Sequence, residues 1–125
     1  MSELKYVTFP VAKLLKEKGF NLECRSYYRH DGVISFWEFV ANANDNLLQK
    51  TFYSRPLQSD VVDWLLEKHG IWVSVDTNST RKWLWRINQI ELDSFIQNDD
   101  FNEDYFNSPK EAYESAFKYT LTELI

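Results

Sequence analysis

The sequence holds one cysteine, two histidines, three glycines and three prolines in 125 residues, and each shortage removes a class of chemistry. A lone Cys24 closes no internal disulfide, and one Cys with two His is too few for a four-ligand Cys/His zinc site. With glycine only at 19, 32 and 70, neither a Gly-rich phosphate loop nor a flexible Gly-rich linker can be built. No apolar run approaches the roughly 20 residues that span a bilayer, and the opening MSELKYVTFP lacks the basic-then-apolar order of a secretory leader. An excess of positive charge is also missing. Fourteen Lys and Arg face nineteen Asp and Glu, for a net charge of -5, which argues against double-stranded nucleic acid as a partner because such binders are usually basic overall. These shortages leave a cytoplasmic, non-membrane protein with no metal and no cofactor.

Aromatics, by contrast, are plentiful at 17%, enough for a core and for rings left over on a surface. The length predicts a single domain over 1–125. Charge is unevenly spread. Residues 91–125 carry nine acids against Lys110 and Lys118, a net of -7, while residues 1–90 sum to +2. A local basic patch therefore remains open in the first part of the chain.

Periodicity places the elements. TFPVAKLLKEK at 8–18 reads as a helix, with Thr8 able to cap it, Pro10 in the first turn and Gly19 at its end. FNLECRSYY then alternates at strand period, with Phe20, Leu22 and Cys24 on one side. Residues 30–55 are the least legible: HDG at 30–32 marks a turn, ISFWEFV at 34–40 suits a strand or a helical turn, and ANANDN at 41–46 reads as a loop. PLQSDVVDWLLEKH at 56–69 is the clearest helix, started by Pro56 and striped by Leu57, Val61, Trp64, Leu65 and Lys68. IWVSV at 71–75 and KWLWRINQI at 82–90, joined by DTNST at 76–80, form a β-hairpin. QNDDFNEDYFN at 97–107 reads as an acidic loop. SPKE at 108–111 is a capping box that opens a last helix striped by Tyr113, Ala116, Phe117, Thr120, Leu121 and Leu124. The order α-β-(irregular)-α-β-β-α predicts an α+β fold, a small antiparallel sheet with helices packed on one face.

One spacing occurs twice. LLKEKGF at 14–20 matches LLEKHGI at 65–71, and the match extends without a gap from VAKLLKEKGFNLEC (11–24) to VDWLLEKHGIWVSV (62–75). A glycine in left-handed conformation just past each helix, flanked by the apolar pairs Leu15/Phe20 and Leu66/Ile71, explains the shared residues as Schellman caps turning helix into strand. It predicts two helix-to-strand junctions and adjacent strands.

LQSDVVDWLLEKHGIWVSVDTNSTRKWLWRI and FNSPKEAYESAFKYTLTELI resemble a family of small uncharacterised proteins that recur in bacteriophage and Bacteroidetes-type genomes. The shared pattern is a helix ending W-L-x-E-K-H-G/N-I, a Trp-containing hairpin, and a terminal helix opening F-N/D-S/T-x-x-E-A. The resemblance covers about 56–90 and 106–125, with a weaker match at 9–29, and departs at 30–55. It brings no catalytic residues. It implies a small phage-type accessory protein working in the host cytoplasm.

Among residues that could carry chemistry, His69 has no second histidine or cysteine beside it in sequence and suits a helix C-terminus, where the dipole favours its charged form. His30, in RHD at 29–31, belongs to a turn rather than to a metal-dependent phosphohydrolase, which needs further histidines. Cys24 faces the apolar side of its strand, whereas a nucleophilic thiol needs an exposed, electropositive niche. The acids at 99–104 lack the turn glycine of a calcium loop. The set worth following is basic and aromatic: Arg25, Tyr27 and Arg29 around the first strand, and Trp72, Arg81, Trp85 and Arg86 on the hairpin. On neighbouring strands, such residues would offer charge to phosphate and rings to a base. Packing under the helices competes for Trp83 and Trp85, while Trp72, opposite Ile71 and Val73, is the ring expected to be more exposed.

The expected function is a non-catalytic binding module that captures a host protein or a small nucleotide-like signalling ligand stoichiometrically, as in evasion of host defence. The alternatives are a small phosphodiesterase- or nuclease-like enzyme using acids with His30 or His69, and a self-associating, homo-oligomeric module using Trp72 and Phe36/Trp37/Phe39.

Overall fold

The structure, a computed structural model, describes residues 5–42, 44, 52–77, 82–97 and 105–125. The fold is α+β. Its elements are α1 (Phe9–Glu17), β1 (Cys24–Tyr28), β2 (Ile34–Ala41), β3 (Tyr53–Ser54), α2 (Gln58–His69), β4 (Ile71–Thr77), β5 (Trp83–Gln89), β6 (Ser94–Gln97) and α3 (Pro109–Tyr119), the last continued by a π-helical turn, Thr120–Leu124. The strands form two separate antiparallel three-stranded sheets, β2-β1-β3 and β4-β5-β6. The expected single sheet is thus two, and the strands after the two glycines are not hydrogen-bonded neighbours. The chain divides into two compact units, Met1–Leu57 and Gln58–Ile125.

In the first unit α1 buries Val11, Ala12 and Leu15, which join Val7, Phe20, Cys24 and Tyr28 in a core. Thr8 sits at the N-cap, but its side chain makes no capping bond. At the far end the expected Schellman cap forms. Gly19 has φ of 86°, its N–H donates to the Lys16 carbonyl, and the Phe20 N–H donates to the Leu15 carbonyl. That geometry brings the apolar pair together, and both members are buried. The strand starts later than alternation predicts, at Cys24 rather than Phe20, and Leu22 is exposed. ISFWEFV resolves as a strand, reached through a turn in which Asp31 accepts from the Val33 N–H. The buried Tyr28 hydroxyl donates to the Val7 carbonyl at 2.6 Å, tying β1 to the chain ahead of α1.

In the second unit α2 starts at Gln58, two residues after Pro56, whose carbonyl instead accepts from the Val7 N–H. α2 and α3 cover one face of the second sheet and bury Val61, Trp64, Leu65, Ala112, Ala116 and Phe117 against Ile71, Val73, Trp85 and Ile87. Leu66, the expected apolar partner of Ile71 at the cap, is exposed. The Gln58 amide joins the two helices, donating to Glu114 at 2.7 Å and to the Lys110 carbonyl at 3.2 Å. Ser108 caps α3 by accepting from the Glu111 N–H, and the Glu111 carboxylate accepts from the Asn107 N–H, one residue earlier than the usual capping box. Gly70 (φ 64°) ends α2 with a single bond from its N–H to the Leu66 carbonyl, the simpler left-handed cap. β4 begins at the very next residue, and the Gly70 carbonyl already accepts from the Ile90 N–H.

Candidate binding face of the second sheet

Register fixes which side chains share the face away from α2 and α3. Residues paired across an antiparallel sheet point the same way. The inner rows are Val73–Ile87–Ile96 and Val75–Trp85, and the outer rows are Trp72–Asn88–Phe95, Ser74–Arg86–Gln97 and Asp76–Leu84. The outer face is closed at its Leu84 end, where that side chain is buried, and open at the other. There Trp72 is 39% and Phe95 54% exposed, one on either side of Asn88. The turn that follows adds Ile90, 55% exposed, to this end, whereas Leu92, 71% exposed, lines a different cleft beside His69. Trp72, Asn88, Phe95 and Asp93 help to line a shallow cleft of about 300 Å³.

Asp93 holds φ of 49°, the one non-glycine residue in left-handed conformation among the described residues. Asp tolerates that conformation better than most residues because its short side chain can bond locally. Arg86, on the next outer row, lies 3.6 Å from Asp76 and places its guanidinium 5.9 Å from the Phe95 ring centre. Both partners of that ion pair are well exposed, so the pair itself stabilises the fold by no more than about 1 kcal/mol.

The sequence-predicted set is divided among these settings. Trp72 and Arg86 share the outer face. Trp85 lies on the inner face, 1% exposed, with its indole N–H donating to the Ser115 hydroxyl and its ring stacked on Tyr119. It is core, and no surface ligand can stack on it. Tyr27 meets Trp37 at 4.3 Å and Phe52 at 4.7 Å, and those two rings lie 6.3 Å from each other, so Tyr27 is one member of a three-ring cluster. Arg25 and Arg29 are exposed in the first unit, on β1 and at the turn after it. Arg81, the turn residues 78–80 and the acidic stretch 98–104 lie outside the described residues, as do parts of the 41–46 loop and the Phe39 side chain. The basic and aromatic residues of β1 therefore do not share a sheet surface with those of β4 and β5.

Phe95, Asn88 and Asp93 were not anticipated. SFIQ at 94–97 is a four-residue strand, too short to show a convincing period, although ELD ahead of it is a turn signal. His69 is the exposed last residue of α2, edge-on to Trp64, and lines a second cleft of about 540 Å³ with Glu91. His30 is exposed in the β1–β2 turn. In that turn the Val33 N–H bonded to Asp31 holds its carboxyl below the usual value. Lys16 donates to the Phe52 carbonyl and lies over the Tyr53 ring, and burial lowers its pKa. Cys24 is buried. Among the described residues no three His, Cys, Asp or Glu side chains group closely enough to hold a metal ion, and no helix is long and apolar enough to cross a membrane.

Fold and site together define an α+β protein with one sheet face covered by helices and the opposite face open at an aromatic end. No family model matches the chain, and no curated protein or solved structure matches it.

Proposed function

We propose that this is a non-catalytic binding protein that captures a protein target stoichiometrically through the open end of the second sheet. The observation that carries this reading is the pair of exposed rings, Trp72 and Phe95, set across Asn88 on a sheet backed by helices and continued by Ile90. Large apolar side chains clustered on a surface mark interaction sites, and tryptophan is enriched among their hot spots. A sheet backed by two helices holds these side chains in place before binding, which reduces the entropy lost on association. The resemblance to phage-type accessory proteins makes a host protein the target and evasion of host defence the setting.

A nucleotide-like ligand draws less support. It needs free ring faces and free cations together, yet Tyr27 is engaged by Trp37 and Phe52, Trp85 is buried, and Arg86 is met by Asp76. A phosphodiesterase-like enzyme needs two carboxylates and a histidine converging in one cleft, and among the described residues the cleft that holds His69 contributes one carboxylate side chain, Glu91.

The test is capture of a target from host lysate, its identification, and reconstitution of the pure complex by light scattering and calorimetry. One target per chain is expected, with binding lost in the Trp72→Ala/Phe95→Ala double variant. A complex indifferent to both substitutions overturns the reading, as does a homodimer held by these two rings.

A further inference from the structure

We infer that the cleft between Trp72 and Phe95 receives the guanidinium of an arginine side chain presented by the target, an inference that rests on the binding role proposed for this face. Spacing comes first. Trp72 and Phe95 stand on the two outer strands of the sheet, each paired with Asn88 on β5. Two strand spacings set their backbones about 9.6 Å apart, so a group held above Asn88, midway between the two rings, would come within the roughly 6 Å over which a cation is attracted to a ring face. A planar cation fills such a slot better than a compact one, and guanidinium stacks on aromatic faces where an ammonium acts as a point charge.

Polarity points the same way. Among the described residues, the charged one lining the cleft is Asp93, and Glu91 lies on the same turn. Asn88 between the rings supplies an amide oxygen. A guanidinium carries five donors and no acceptor, and a carboxylate with an amide oxygen can meet several of them. Arg86 on the neighbouring row has its charge met by Asp76. At longer range, residues 58–125 hold thirteen acids against six basic residues, a field that draws cationic partners and repels phosphates. The cleft of about 300 Å³ accommodates a side-chain head group.

The test follows the Trp72 indole N–H and the Asn88 side-chain amide of the ¹⁵N-labelled full chain by NMR. The probes are N-acetyl-argininamide, N-acetyl-lysinamide, the neutral isostere N-acetyl-citrullinamide, and adenosine monophosphate. Argininamide is expected to shift both resonances, with a dissociation constant on the order of millimolar. Lysinamide should bind several-fold more weakly, and citrullinamide and the nucleotide at least about tenfold more weakly, because they lack the charge-assisted bonds. Asp93→Asn keeps a residue type that tolerates the left-handed conformation. It should weaken argininamide about tenfold while leaving the remaining spectrum in place.

Citrullinamide binding as well as argininamide overturns the inference, and so does tighter nucleotide binding or indifference to Asp93→Asn. If argininamide moves neither resonance while target capture still needs Trp72 and Phe95, the arginine slot falls and the binding role stands. If argininamide binds and capture ignores both rings, the binding role falls.

Discussion

The two units open alike, with a helix, a glycine at positive φ and a strand, and then use their aromatic residues differently. In the first unit most of the described rings pair with one another, while Phe36 on β2 stays 68% exposed. Phe9 contacts Tyr28 and Tyr53, Tyr27 meets Trp37 and Phe52, and the cations of Arg55 and Lys16 cover Tyr6 and Tyr53. In the second unit Trp85 is used inside, while Trp72 and Phe95 keep their exposure at an open sheet end. Charge divides the same way. Residues 1–57 hold eight Lys and Arg against six acids, while 58–125 hold six against thirteen. An aromatic count therefore does not locate a binding surface. What locates it is which exposed rings the strand register brings together after folding.

Substitutions in the two units test this contrast. The largest effect is expected within the second. Trp85→Ala should lose about 3–5 kcal/mol of stability through a core cavity, whereas Trp72→Ala, at a ring 39% exposed, should cost less, about 1–2 kcal/mol, both read by denaturant melts. Next come the glycines. Added Cβ atoms at 19 and 70 meet nothing within 4 Å, so the cost of alanine is backbone strain alone, about 1–2 kcal/mol. Gly70, at φ 64° against 86° for Gly19, lies nearer the left-handed well that L-residues reach, so Gly19→Ala should cost more than Gly70→Ala. Helix starts follow. Ser108→Ala removes a capping bond and should cost about 1 kcal/mol, and Thr8→Ala, at a cap without such a bond, should cost less.

The smallest effect is a pH dependence in the first unit. Asp31 has its pKa depressed in the fold by the Val33 N–H. Its contribution is present above the unfolded carboxylate pKa and is lost as pH falls through the folded value. Wild type should therefore lose stability relative to Asp31→Asn below about pH 4, measured by acid melts of both proteins.

The helices, the hairpin and the glycine caps were legible because each rests on a local rule: a 3.6-residue stripe, a two-residue alternation, a positive-φ stop. So was the exposure of Trp72, which follows from alternation alone. The partition into two sheets was not legible, since nothing in CRSYY or IWVSV says which strand each will pair with. β3, at two residues, and β6, at four, are too short for period to speak. The site's second wall, Phe95, was lost with β6. The ring cluster around Tyr27 was not legible for another reason: Trp37 and Phe52 lie 10 and 25 residues away in sequence, and only tertiary structure brings them together.

The glycine at 70 has a kinetic consequence. It closes α2 through its N–H and enters the β4–β5 ladder through its carbonyl, with no residue between helix and strand. At Gly19 three residues separate the capped Phe20 from the strand. Fraying of α1 at its C-terminus can be absorbed in that spacer, whereas opening α2 at Gly70 pulls directly on the Ile90 pairing. In hydrogen exchange the amides of Gly70 and Ile90 should therefore leave protection together, as one cooperative opening. Lys18, Gly19 and Phe20 should exchange earlier than β1.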